Sequence, residues 1–248
     1  TLLRRRPRLR TRPVPRRLAW GFSAELGSTV LVFGTAALVA LDDAPEVVLC
    51  GAGAPQAAPA LPSGATWRTV PASPWRRLGE NVEKVWFEQV AFPRAARAVG
   101  ATVAHVPYFA SPRFPQQPTV VTVHDLIPLL LPGYRSSALV RSYMRLVAAA
   151  ARRASLVLTD AEASVGDIVR HLGVPQERVR AIPLAVPPAY RPQGSEALAA
   201  LRARYELPER YLLYLGGYDR RRNLATLFQA LAEAQRREPA LPALVMAG

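Results

Sequence analysis

The sequence predicts an α/β fold in which a parallel sheet is covered by helices on both faces. Its 248 residues are half apolar, which is enough for one large domain or two small ones. Short β-rich runs alternate with stretches of helical periodicity along most of the chain. This alternation is typical of βαβ units, whose parallel strands are buried between layers of helices.

The predicted elements follow one another from residue 46 onwards. Strands are predicted at 46–50, 66–70, 102–106, 119–123, 155–159, 178–182, 211–215 and 243–248. Helices are predicted at 81–99, 136–154, 161–173, 196–205 and 223–237. Pro93 is expected to kink or split the first helix. Asp160 is expected to cap the third helix, which closes at Gly173.

The predicted domains are separated by a proline-rich linker at 183–195, so that one covers 46–186 and the other 187–248. Two strands and two helices do not close an α/β domain, so we expect the second domain to be incomplete. Residues 1–45 form a basic arm and an atypical N-terminal segment with an uncharged run at 26–41, which is shorter than a spanning helix. The alternatives for it are a buried helix behind a disordered arm, attachment to a membrane surface, or a segment that is not native.

The charge and cysteine content narrow the function classes. The net charge is +14, and Lys84 is the only lysine, so the positive charge is almost all arginine. This composition fits either an arginine-rich surface or binding to anionic membranes or phosphate-bearing substrates. Aromatic residues do not interleave with basic ones, so nucleic acid is not expected as a partner. Cys50 is alone, which excludes an internal disulfide and a cysteine-based zinc site, and fits a cytoplasmic location.

Polar residues and glycines stand at the ends of four predicted strands. Ligands of parallel sheets bind outside the carboxyl ends of the strands, so these groups are expected to meet at one rim. The candidates are His105, His124 with Asp125, Thr159 with Asp160, and Gly216 with Gly217. A structural role for either histidine is the alternative interpretation, and His171 is expected to interact only with its helix C-terminus.

The turn after the strand at 211–215 predicts an anion site. Glycines at Gly216 and Gly217 let backbone N–H groups approach an oxyanion. The following helix N-terminus carries partial positive charge, although Arg220, Arg221 and Arg222 lie beside it. Cations at this position oppose the helix dipole unless an anion binds, which favours a phosphate site. The alternative is a solvated basic turn.

Three segments together resemble the retaining glycosyltransferases of family 4, the glycosyl transferases group 1. They are 119–137, 152–192 and 211–231, in that order and spacing, and 87–112 resembles the segment that precedes them in the family. The likeness runs from Glu80 to Gly248. It implies the GT-B architecture, with a Rossmann-like acceptor-side domain at 46–186 and the start of a Rossmann-like nucleotide-sugar domain at 187–248.

The resemblance also implies roles for individual residues. Gly216, Gly217, Arg221, Arg222 and Asn223 match the turn that holds the nucleotide-sugar diphosphate, with arginine at 222 where the family commonly has lysine.

The implied catalytic residues are His124, near the sugar and acceptor, and Asp125 beside it. No cofactor or metal is expected. The implied partners are a nucleotide sugar and a glycan or lipid-linked acceptor, with an anionic membrane surface on the cytoplasmic side as a further expectation.

Two departures from the family pattern affect these expectations. The glycine-rich loop after the family's first strand has no recognisable G-G-x-G here, and the acidic E-x7-E motif of the second domain is absent from the sequence. We therefore expect this chain to be inactive by itself. The competing hypotheses are a non-catalytic phosphate- or polyanion-binding α/β module and a GT-B sugar-nucleotide epimerase.

Overall fold

The computed structural model describes residues 17–22, 35–52, 61–108, 111–131, 137–186 and 190–248. Nine strands lie in these ranges: β1 Arg17–Phe22, β2 Glu46–Ala52, β3 Ala65–Val70, β4 Val103–Val106, β5 Thr119–Thr122, β6 Leu156–Thr159, β7 Val179–Ala181, β8 Tyr211–Leu215 and β9 Ala243–Ala247. The helices are α1 Glu80–Trp86, α2 Phe92–Ala98, α3 Ile127–Leu130, α4 Ala138–Ala151, α5 Glu162–Asp167, α6 Ser195–Tyr205 and α7 Leu224–Arg237. The basic arm at 1–16 lies outside the described residues.

The chain forms two compact units, Thr1–Ala185 and Val186–Gly248. The first contains a seven-stranded sheet in the order β3-β2-β1-β4-β5-β6-β7, and all of its strand pairs are parallel. Strands β1 to β3 extend the sheet to one side, and β4 to β7 extend it to the other. The strand order therefore reverses between β1 and β4, where α/β sheets of this kind open a crevice for ligands. The predicted α/β class with a parallel sheet is therefore confirmed.

The central strand β1 corrects our interpretation of residues 1–45 as a segment outside the sheet. Leu18, Ala19 and Trp20 are buried, and β1 pairs with both β2 and β4. The strand was missed because its short apolar run directly follows the arginine-rich arm. Arg17 follows the arm as the first residue of β1, and its guanidinium forms an ion pair with Glu46, the first residue of β2, at 2.6 Å.

The uncharged run at 26–41 is described only from residue 35, and residues 35–39 are helical. Leu38 and Val39 pack against a small cluster formed by Trp20, Val47 and Leu49. The neighbouring β2 residues Val48 and Cys50 belong to the larger core cluster instead. Because successive side chains of a strand point to opposite faces, both faces of β2 are covered.

The first long helix is split, as expected, next to Pro93. A π-helical turn, Phe87–Ala91, joins α1 to α2, and Pro93 lies in the first turn of α2. Proline has no N–H to donate to the preceding turn, and a π-turn accommodates this loss within a continuous helical segment. The turn brings Phe87, Glu88 and Ala91 into buried positions.

Helices α4 and α5, which follow β5 along the chain, agree with the predicted pattern with one exception. Helix α4 begins after Ser137, whose hydroxyl accepts a hydrogen bond from the Val140 amide at 3.1 Å. Helix α5 continues through a π-turn, Ile168–Leu172, to Gly173 with φ 68°. Its N-cap is Ala161 rather than Asp160, so the predicted capping role of Asp160 is wrong.

The second unit is a strand–helix–strand arrangement in which β8 and β9 pair in parallel. None of its described residues is buried, and Leu213 and Leu215 of β8 are largely exposed. Across the described ranges, no helix combines the length and apolar composition required to cross a membrane.

Candidate active site

His124 lies at the carboxyl end of the sheet, two residues beyond β5, and contacts the ends of both neighbouring strands. Its Nδ1 is 2.8 Å from Oδ2 of Asp160, which follows β6. Its Nε2 is 3.0 Å from the carbonyl oxygen of Pro107, which follows β4. The parallel pairing of β4, β5 and β6 aligns their ends and so brings these three groups together.

The partners of His124 define its chemistry. A carbonyl oxygen can only accept a hydrogen bond, so Nε2 donates to Pro107. An ionised carboxylate also only accepts, so Nδ1 donates to Asp160. Both ring nitrogens of His124 therefore face hydrogen-bond acceptors, which holds the ring in one orientation. The side chains of His124 and Asp160 are 30% and 25% exposed.

His105 occupies the adjacent strand β4 in a different environment. Its ring stacks on the indole of Trp20, with centroids 5.1 Å apart, and its Nε2 lies 2.9 Å from the Thr122 hydroxyl. Burial, and to a smaller extent the neighbouring His124, lower the pKa of His105 to about 4. His105 is therefore neutral at pH 7.

Asp125 follows His124 directly and contacts the backbone of the next turn. Its Oδ1 accepts a hydrogen bond from the Ile127 amide at 3.0 Å, at the first residue of α3. This contact fixes the turn between β5 and α3, as short polar side chains do when they bond the backbone two residues ahead. The structure thus gives Asp125 a positioning contact.

Asp160 is the rim residue whose role sequence reasoning missed. Local sequence favours an N-cap for an aspartate that follows a strand and precedes a helix. The carboxylate instead bonds to His124, 36 residues earlier in the chain. The strand-end pattern did include Thr159 and Asp160 among the expected rim groups, and that pattern was the available signal. Thr159 is buried, and its hydroxyl has no hydrogen-bond partner among the described residues.

The predicted anion turn lies in the second unit, between β8 and α7. Gly216 has φ 144°, which is unfavourable for any residue with a Cβ. A Cβ at Gly216 would lie 3.4 Å from the Tyr214 hydroxyl and 3.9 Å from the guanidinium carbon of Arg222. The Tyr214 hydroxyl donates to the Gly217 carbonyl at 2.7 Å, which holds the turn.

The arginines of this turn form a 3₁₀ helix, Arg220–Arg222, and differ in their partners. Arg221 forms an ion pair with Asp219 at 2.9 Å. For Arg222, the part of the chain that the structure describes offers no ion-pair partner, and its guanidinium lies beside Gly216. Arg222 is therefore better placed than Arg221 to bind an added anion.

Asn223 links the arginine turn to α7. Its φ is 53°, and its side chain makes no capping hydrogen bond to the helix. Its Oδ1 accepts from the Thr226 hydroxyl at 2.9 Å instead. The first N–H groups of α7 are thus not satisfied by this side chain, as an anion-binding helix terminus requires.

Two other features limit the chemistry of the described residues. Burial raises the pKa of the Cys50 thiol to about 12, against the opposing charge of Arg68, so this thiol is a poor nucleophile. Within the described ranges, no group of three or more His, Cys, Asp or Glu side chains is placed to bind a metal ion.

Comparison with known proteins decides the family. A model of Glycosyltransferase Family 4 matches residues 30–190, which is more than half of the chain. The chain belongs to Glycosyltransferase Family 4.

Relatives of this family-4 chain include a bacterial protein that is named a mannosyltransferase. O-antigen chain mannosyltransferase B of Escherichia coli is 28% identical over 129 residues, covering 52% of this chain and 34% of the relative.

Solved structures show the same fold. HepE (Alr3699) of Anabaena, crystallised with UDP-glucose, matches with a TM-score of 0.60 at 15% identity, covering 93% of this chain and 60% of HepE. A glycosyltransferase from Rickettsia africae matches with a TM-score of 0.50 at 11% identity, covering 94% of this chain and 68% of that protein. The family-4 chain has the GT-B-type α/β fold and spans about a third of the mannosyltransferase and 60% of HepE.

Proposed function

We propose that the protein is a retaining glycosyltransferase that moves a sugar from a nucleotide-sugar donor to a glycan or lipid-linked acceptor in polysaccharide biosynthesis. Family membership supports the reaction class. HepE was crystallised with UDP-glucose, and the E. coli relative is named a mannosyltransferase, which supports a hexose donor.

The observation that carries the proposal is the turn from Gly216 to Asn223. It combines a glycine in a conformation that other residues avoid, a guanidinium beside it on Arg222, and the uncapped start of α7. These are the elements of a diphosphate site, since N–H groups and a guanidinium fork both bind phosphate oxygens.

The proposed chemistry is displacement of the diphosphate at the anomeric carbon with retention of configuration. The bond between the anomeric carbon and the diphosphate oxygen breaks, and its electron pair leaves with the diphosphate. The acceptor hydroxyl oxygen forms the new bond to the anomeric carbon on the same face, and its proton passes to the leaving diphosphate. Arg222 and the α7 N-terminus stabilise that developing negative charge, an effect that lowers barriers by several kcal/mol when the groups are pre-oriented.

The proposed role of His124 is that of a hydrogen-bond donor rather than a proton acceptor, because both of its nitrogens face acceptors. Asp160 acts as a positioning residue that fixes the ring. The chain has only three histidines, so ¹⁵N-histidine spectra can be assigned with single variants. We expect both His124 nitrogens to carry hydrogen and this pattern to be lost in Asp160→Asn; a lone-pair nitrogen on His124 in the parent protein would contradict this role.

Donor binding is tested with the full-length protein and a panel of nucleoside diphosphates. We expect one of them to raise the melting temperature, and Arg222→Gln to weaken its binding about tenfold or more. Arg236→Gln is the matched control, since Arg236 lies near the far end of α7 and pairs with Glu233. Absence of a thermal shift with every nucleoside diphosphate would refute the donor-site assignment.

Three further expectations belong to this proposal. Activity should persist in EDTA, because we expect no metal or other cofactor. The anomeric proton signals of donor and product should show retained configuration. The 248-residue chain should be inactive by itself, because its sequence lacks the E-x7-E motif of the second domain.

We also propose peripheral attachment to the cytoplasmic face of an anionic membrane through the basic arm. The arm contributes positive charge that anionic lipid attracts. Serine substitution of its arginines should abolish pelleting with anionic vesicles, and unchanged pelleting would remove this proposal. The positions are Arg4, Arg5, Arg6, Arg8 and Arg10.

A further inference from the structure

An apolar groove lies between α1 and α4 in the first unit. Its volume is about 850 Å³, within the range of sites that bind organic molecules. The walls are mostly hydrocarbon and aromatic side chains. They include Trp75, Leu78, Val85, Trp86, Leu139 and Val140.

The outer end of the groove exposes large apolar side chains together. Trp75, Leu78 and Leu139 are 57%, 72% and 64% exposed. Trp75 packs edge-to-face on Trp86, with centroids 5.6 Å apart, so the outer wall is held in place. Exposed apolar groups clustered around a cavity are uncommon on soluble monomers and mark binding surfaces. Arg76 and Arg77, exposed in the same turn, add positive charge there.

The inner end of the groove is polar. The ammonium of Lys84 lies 4.9 Å from the ring centroid of Tyr108 and 5.5 Å from that of Tyr143. The Tyr143 hydroxyl donates to Glu88 in the π-turn at 2.9 Å. Lys84, Tyr108 and Tyr143 thus form a charged and aromatic cluster beside a mostly apolar cavity.

This polar end adjoins the candidate active site. Tyr108 directly follows Pro107, whose carbonyl accepts the hydrogen bond from His124. A molecule that fills the groove therefore meets hydrocarbon walls at the exposed end and the Lys84 ammonium, beside Tyr108, at the other. A ligand that matches the groove must therefore be apolar along most of its length and polar at one end. A lipid with a phosphate and a sugar at one end has this arrangement.

We propose that the groove binds the hydrocarbon chain of a lipid-linked acceptor and directs its polar end toward His124. Lys84 supplies positive charge near the phosphate that joins chain and sugar. Arg76 and Arg77 face the anionic head groups of the membrane from which the chain emerges. This inference rests on the proposed function, and it selects the lipid-linked acceptor over the free glycan.

The test uses farnesyl phosphate with the full-length protein. Trp75 and Trp86 line the groove, so chain binding should shift their fluorescence to shorter wavelength in a saturable manner. Leu139→Asp places a charge on the apolar wall and should weaken binding about tenfold or more. The control is Leu41→Asp, since Leu41 is 57% exposed but lies beside Asp42 and outside the groove. Ethyl phosphate, which lacks the chain, should not bind.

Distinct outcomes overturn the inference. Equal farnesyl phosphate affinity in Leu139→Asp and the parent protein, or equal binding of ethyl phosphate, would exclude chain recognition by the groove. A dimer that Leu139→Asp converts to a monomer would assign the groove to a second copy of the chain.

Nucleoside diphosphate binding, measured on the same samples, reports on the proposed function separately. Protection of the buried Cys50 thiol from a thiol reagent shows that the first unit of Leu139→Asp is folded. If no nucleoside diphosphate binds but farnesyl phosphate binds in a Leu139-dependent manner, the acceptor assignment is refuted. The groove then remains a binding site for lipid chains.

Discussion

His105 should make the stability of the first unit depend on pH in a defined window. Its pKa is about 4 in the folded protein against 6.5 for an ordinary histidine, chiefly because of burial. Above pH 6.5 the ring is neutral in both states. Between pH 6.5 and 4 the unfolded chain binds a proton that the folded one does not, so the free energy of unfolding falls as the pH falls. At about 1.4 kcal/mol for each pH unit, the loss approaches about 3 kcal/mol.

Urea denaturation at a series of pH values measures this loss, because the midpoint and slope give the free energy of unfolding. Other groups titrate in the same range, so the relevant quantity is the difference between the parent protein and His105→Gln. We expect that difference to change by about 2.5 kcal/mol between pH 7.5 and pH 4.5. His171→Gln, at an exposed helical position, is the control for replacing a histidine by glutamine. Parallel curves for the parent protein and His105→Gln would refute a neutral, buried His105.

The remaining predictions concern single contacts. Cys50 should not react with a thiol reagent at pH 8 until urea unfolds the first unit, because burial raises its pKa to about 12; fast reaction of the folded protein would contradict that burial. Gly216→Ala should destabilise the second unit by about 1–3 kcal/mol, since φ 144° strains a residue with a Cβ, and an unchanged melting curve would argue against this conformation. Ser137→Ala should cost about 1 kcal/mol by removing the cap of α4, whereas Ser137→Thr should retain it, as urea denaturation would show.

Much of the sheet could be predicted from sequence because its strands are short apolar runs bounded by polar residues or glycine. The predicted strands at 46–50, 119–123 and 155–159 differ from β2, β5 and β6 by two residues at most at either end. The split at Pro93 followed from the missing N–H of proline. Strand β1 was not recognised because its buried signal is short; the residues described as buried there run from Leu18 to Gly21.

The sequence could predict which strand ends form the candidate site, but not the contacts that their side chains make. The rule that ligands bind at the carboxyl ends of parallel strands indicated His124 and Asp160 as neighbours. It did not indicate that Asp125 would turn to the Ile127 amide, because that choice depends on the local backbone. The stacking of His105 on Trp20 joins two strands 85 residues apart, and no local pattern encodes such a contact.

The position of β1 has a consequence for how the chain can be shortened or extended. This strand alone connects β2 and β3 on one side with β4 to β7 on the other. A start site moved past Phe22 would leave two half-sheets, each with an unpaired inner edge able to recruit strands from other molecules. Tagged or shortened versions of the protein should therefore retain every residue from Arg17 onward.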